Sequence, residues 1–183
     1  MKISTRFFFS LLVLISMNAD ADFYDVPMLD ASWEASSDKE VCYLKQKIPN
    51  YGSAEFIQRS GAPLQFSIQE LRVKPYIIKA DLAALPTPWM HDEIDRQVHP
   101  VYLDSPAHAG DFNRLSVYGD AAEAMVDALL QGYSPTFTYV RAATDLDMHE
   151  IRVAVSPIKF QEVYDNFVNC RTKWAPYRSH EGF

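Results

Sequence analysis

Much of what decides the class of this chain is scarce or missing. Cysteine occurs twice in 183 residues. With no CxxC pair to hold a metal or run redox chemistry, Cys42 and Cys170 are left to each other. Basic residues number 17 against 24 acidic ones, and none cluster. A net charge of −7 without a Lys/Arg patch excludes nucleic acid as a partner and argues against an anionic membrane surface, because both need positive charge. No apolar run reaches the ~20 residues of a membrane span. The five histidines form no HxH, HxxxH or HExxH spacing. There is no GxSxG, P-loop or GxGxxG either.

The longest apolar run is "FFFSLLVLISM" (7–17). Lys2 and Arg6 precede it and Ala19-Asp20-Ala21 follows. This order of basic, apolar and small residues is that of a secretory signal peptide. Cleavage after Ala21 would leave 162 residues with a charge of −8, exported and soluble, with no membrane insertion. That length suits one domain, expected over 22–175, with 176–183 as a tail. In an oxidising compartment the cysteines are expected to pair, closing a loop of 128 residues.

Residues 22–39 are polar apart from Trp33 and read as an extended arm docked by its indole. From Glu40 the pattern alternates. "EVCYLKQKI" (40–48) is a strand, with Cys42 and Leu44 on one face. "PNYG" (49–52) turns it, since Pro49 lacks a donor and Gly52 tolerates positive φ. Strands follow at 53–59, at 63–73 (Leu64, Phe66 and Ile68 inward, Gln65, Ser67 and Gln69 outward) and at 75–82. Four prolines interrupt 83–112, an irregular excursion with a short strand at 101–103. A strand at 114–119 leads into a helix from Asp120, with Asp120 and Glu123 spaced as a capping box and Gly132 as terminator. A hairpin over 134–142 and 149–155 precedes the clearest helix, 156–170. Ser156 caps it, Pro157 opens it, and Phe160, Val163, Tyr164, Phe167 and Cys170 line one face. The class is α+β: an antiparallel meander and hairpins packed by two amphipathic helices, with one disulfide.

Catalytic constellations are weak. His91, Asp92, Glu93, His99, His108 and Asp111 suggest at most a metal or hydrolase site on the 83–112 loop, with no spacing that makes them converge. Asp25, Asp30, Glu34, Asp145 and Asp147 are spread over arm and loop positions. Nothing places a nucleophile, base and orienter together. Tyr51, on its turn, is either an architectural residue or an exposed partner-binding aromatic.

Several segments together carry a resemblance. Trp33 lies nine residues before Cys42, and "IPNYGSAEF" (48–56), "LPTPW" (85–89), "MVDALLQGYSPTF" (125–137) and "VSPIKFQEVYDNFVNC" (155–170) follow. Over residues 30–175 the chain resembles the N-terminal domain of MotY proteins, the periplasmic T-ring components of sodium-driven polar flagellar motors. The resemblance implies a periplasmic α+β domain with one disulfide, at Cys42 and Cys170, no enzymatic activity and no cofactor. It implies protein partners, a MotX-like protein or the flagellar basal body, and help in positioning stator units. Tyr51 and Trp89 are the candidate partner-binding residues. The OmpA-like domain that grips peptidoglycan in those proteins has no counterpart here, so peptidoglycan binding is not expected. The 83–112 excursion is longer than the family leads one to expect. A stand-alone envelope role for the same fold is the alternative.

Overall fold

The computed structural model describes residues 22–71, 76–90, 98–104, 114–144 and 147–174. Among these, the chain forms strands β1 (Asp22–Tyr24), β2 (Trp33–Asp38), β3 (Val41–Ile48), β4 (Gly52–Arg59), β5 (Gln65–Glu70), β6 (Tyr76–Leu85), β7 (His99–Pro100), β8 (Tyr102–Asp104), β9 (Arg114–Tyr118), β10 (Ser134–Thr144) and β11 (Asp147–Ala154). Helix α1 (Asp120–Leu130) follows β9, and α2 (Phe160–Trp174) follows β11. The α+β class stands, but the strands divide into two sheets. One is five-stranded in the order β1-β11-β10-β6-β7, the other six-stranded in the order β2-β3-β4-β5-β9-β8. All pairings are antiparallel except that of β1 with β11.

The polar arm expected over 22–39 is in fact two strands. β1 edges the five-stranded sheet and β2 edges the six-stranded one. β1 is only three residues long and β2 is polar after Trp33, too little for a period-2 pattern to show in sequence. Trp33 opens β2 and is buried; its indole Nε1 donates to the Ser156 carbonyl at 2.9 Å. The excursion over 83–112 also contributes strands. β6 runs on to Leu85, β7 pairs with it through His99 and Leu82, and β8 pairs with β9. The chain thus crosses from one sheet to the other at Val101.

The core lies between the sheets and under the helices. Phe56 on β4 stacks on Phe66 of β5 with ring centres 4.2 Å apart, and Phe66 meets Phe137 of β10 at 5.3 Å. Phe160, the first residue of α2, sits edge-on to Trp33 at 5.0 Å. Cys42 is fully buried on β3 and joins Cys170 on α2 in a disulfide, with the Cα atoms 5.9 Å apart.

Three local expectations need correcting. Helix α2 begins at Phe160 and not at Ser156, so Ser156 does not cap it and Pro157 lies in the turn before it; the Ser156 hydroxyl accepts from Ile158 N–H instead. Gln65 and Ser67 lie on the face of β5 away from Phe66, yet both are buried. Side chains from the flanking strands engage them. Gln65 accepts from Arg59 at 2.8 Å and donates to the Ser116 hydroxyl at 3.0 Å, while the Ser67 hydroxyl donates to the Glu55 carbonyl at 3.5 Å. At the start of α1 the N-cap is Gly119, with no side-chain cap. Asp120 lies one residue inside, where its charge still suits the helix dipole. Glu123 turns away to pair with Arg171 of α2, so the capping box does not form.

The turn at 48–52 is architectural. Tyr51 N–H donates to the Ile48 carbonyl at 3.2 Å, and Asn50 takes φ 61°. Gly52, at φ 156°, lies against the backbone of Gln69, where any Cβ would run into the carbonyl oxygen. Only glycine lets β4 approach β5 there.

Candidate functional site

The pleat of the five-stranded sheet sends alternate residues to opposite faces. Phe137, Val153 and Leu82 point into the core. Their neighbours form an outer face, and that face changes character along the strands. Toward one end it carries ion pairs, Arg152 with Glu150 and Lys79 with Asp81. Toward the other it is small and apolar: Thr136 lies beside Ala154 on β11 and Ala83 on β6, and Ser134 lies beside Leu85. Phe23 of β1, in register with Arg152, borders this end from the edge strand and is 59% exposed.

Three loops wall the apolar end. Val26–Met28 follow β1, Pro86–Trp89 follow β6, and Pro157–Ile158 follow β11. Together with the floor they enclose a groove of about 340 Å³. Proline appears in all three walls, at 27, 86, 88 and 157, and holds their backbones near φ −65°. Two further contacts fix the walls. Ser156 is clamped by buried Gln46 of β3, which accepts from its N–H at 2.8 Å and donates to its carbonyl at 3.1 Å. Met90 N–H donates to the Thr87 carbonyl at 2.9 Å, closing the turn that presents Trp89.

The polar atoms of the lining are engaged. The Ser134 hydroxyl donates to the Val155 carbonyl at 2.8 Å, Thr136 to the Ser134 carbonyl at 3.1 Å, and Thr87 to the Gly132 carbonyl at 3.2 Å. The Ser156 hydroxyl accepts from Ile158 N–H at 3.3 Å. Among the described residues, Asp25 is the one ionisable residue in the lining. Each of the Ser134, Thr136 and Thr87 hydroxyls is thus committed to a backbone carbonyl. Trp89 is 51% and Met28 60% exposed at its rim.

The residues singled out from sequence fall in different places. Trp89 lies in the groove. Tyr51 does not stand on its turn as an exposed aromatic; it is 3% exposed. Its ring packs against Tyr24 at 5.3 Å, and its hydroxyl lies 3.2 Å from that of Tyr139 on β10. Arg141 donates to the Tyr139 oxygen at 3.3 Å and pairs with Glu70 of β5. This cluster latches the two sheets together. Burial pushes the phenols of both Tyr51 and Tyr139 well above the ordinary range; their mutual repulsion adds for Tyr51, and the nearby Glu70 charge for both. Cys42 and Cys170 form the disulfide, remote from the groove lining. Of the loop cluster, His99 lies in β7, while His91, Asp92, Glu93, His108 and Asp111 fall outside the described residues. Among the described residues no group of His, Cys, Asp and Glu could hold a metal ion.

Sequence reasoning missed Phe23, Met28 and Ile158 as surface partners of Trp89. The signal available was the recurrence of proline beside a large apolar residue in three separate segments: Pro27-Met28, Pro88-Trp89 and Pro157-Ile158. No helix among the described residues is long and apolar enough to cross a membrane. The family described as MotY N-terminal domain matches residues 24–176. No curated protein is similar enough to the chain to count as a match.

Proposed function

We propose, from the premise that the chain belongs to the MotY N-terminal domain family, that it is a non-enzymatic interaction module of the flagellar motor. The family is one of periplasmic, motor-associated domains. The finer reading is that this domain docks a MotX-like protein or the basal body and so helps to place stator units around the rotor. It would reach the periplasm by way of the 1–21 signal segment, and it would work without a cofactor. The observation that carries this reading is a rigid apolar groove whose hydroxyls are all engaged. Such a surface offers contact area without reactive groups.

Deletion of the gene tests the motor role. The expected result is cells that assemble filaments but swim poorly or not at all, restored by the intact gene and not by a version lacking the secretion segment. Normal swimming of the deletion strain overturns it. Calorimetry of the secreted domain against a purified MotX-like protein tests the docking step. Micromolar or tighter binding is expected, and absence of heat at tens of micromolar discards that partner.

A further inference from the structure

We infer that the groove on the outer face of the five-stranded sheet receives an extended segment of a protein partner, one that presents an apolar side chain beside lysine or arginine. The inference rests on the docking role above and assigns it a surface and a recognition chemistry.

Shape argues for an extended segment. The floor crosses four strands, β1, β11, β10 and β6. At ~4.8 Å between strands it is roughly 14 Å wide, the span of about four extended residues at ~3.3 Å each. A volume of about 340 Å³ is at the low end for ligand pockets and takes one or two side chains.

Apolar contact supplies the anchor. Phe23, Met28 and Trp89 are each more than half exposed at the rim, and Leu29 beside them is 93% exposed. Three large apolar residues gathered at one cleft, with Leu29 next in the chain to one of them, exceed the scattered exposure of an ordinary surface.

Charge completes the assignment. Asp25 lines the groove and is exposed, and exposed Asp30 belongs to the same wall, its N–H closing a turn onto the Pro27 carbonyl; the stretch 25–30 holds no Lys or Arg. Arg152, opposite Phe23, is already paired with Glu150 at 2.7 Å. Among the described residues here, Lys159, just past Ile158, is one cation against two carboxylates. The rim is therefore negative and selects a partner with positive charge flanking the apolar anchor.

The test uses the secreted domain and the purified MotX-like protein as probe, with titrations at 50 and 300 mM NaCl. Variants are Trp89→Ala, Met28→Asp and Asp25→Lys, with Met148→Asp as the control at the far, polar end of the same face. All four replace exposed side chains, and circular dichroism checks that each folds. Trp89→Ala and Met28→Asp are expected to weaken binding tenfold or more. Asp25→Lys should weaken it about threefold to tenfold and flatten its salt dependence, and Met148→Asp should leave it unchanged. If the probe binds all four variants like wild type, the groove assignment falls while the docking role stands. If the probe does not bind wild type, the docking role falls and takes the groove with it. Sedimentation of wild type and Trp89→Ala covers a second copy of the chain as occupant. A wild-type dimer that Trp89→Ala dissolves would overturn the inference.

Discussion

Replacing both cysteines by alanine should cost the protein 3–5 kcal/mol of stability, and the reason lies mainly in the unfolded chain. The Cys42–Cys170 bridge closes a loop of 128 residues. On the chain-entropy relation a loop of that length removes roughly 16–17 cal/mol/K from the unfolded state, about 5 kcal/mol at room temperature. Residual structure in the unfolded ensemble lowers that ceiling. Alanine is the better probe than serine, because Cys42 is fully buried and a hydroxyl there would add a further ~1–3 kcal/mol unrelated to the bridge. The assay is urea unfolding followed by tryptophan fluorescence, on oxidised wild type, wild type under reductant, and Cys42→Ala/Cys170→Ala. Both bridge-free forms should unfold at lower urea, and with a steeper dependence on denaturant, since an uncrosslinked chain exposes more surface. Periplasmic yield should fall in parallel as more unfolded protein is degraded. A loss under 1 kcal/mol would refute the entropic argument. A large loss with an unchanged slope would locate the effect in folded-state packing instead.

Gln46→Ala removes both hydrogen bonds that clamp Ser156; it should destabilise by about 2–4 kcal/mol, read by urea unfolding, because a buried peptide group loses partners. Gly52→Ala should cost about 1–3 kcal/mol or more, since the added Cβ meets the Gln69 carbonyl; Gly61→Ala, where a Cβ meets nothing nearby, should cost less. For the buried phenols, the folded state holds Tyr51 and Tyr139 protonated while unfolded tyrosines ionise near pH ~10. Their contribution is full below that pH, erodes above it, and is gone once pH passes the folded-state values. Ultraviolet titration should show these two phenols ionising only with unfolding, and Tyr139→Phe should make stability fall less steeply above pH 10.

Local period and turn chemistry made most elements legible. The strand at Val41–Ile48, the turn at Pro49–Gly52 and the helix that carries Cys170 follow from alternation, proline and 3.6-residue spacing, though that helix runs over Phe160–Trp174. The division into two sheets was not legible, because it depends on partners far apart in sequence. β1 is three residues long and finds its only described neighbour at Ile151–Val153. Tyr51 misled for a similar reason. A turn residue suggests exposure, but the Leu71 N–H reaches its carbonyl at 2.8 Å and Tyr139 meets its hydroxyl from the other sheet. Trp89 was singled out through the "LPTPW" segment of the family resemblance, and its exposure came from the structure. The groove was not legible, since its walls come from the ends of three strands and meet only through their registers.

The sulfur bridge also decides how the domain carries force. Tension applied at either side of the cystine runs directly through the covalent link, so everything between positions 42 and 170 is shielded from stretching. Only the flanking pieces, β1 with β2 on one side and the last turn of α2 on the other, can peel. Pulled by its ends in an optical trap, the oxidised domain should yield only those short extensions. A further lengthening of roughly 400 Å, about 128 residues at 3.3–3.6 Å each, should appear after reduction alone. A part seated beside a rotating machine would thereby be a tie-rod rather than a spring.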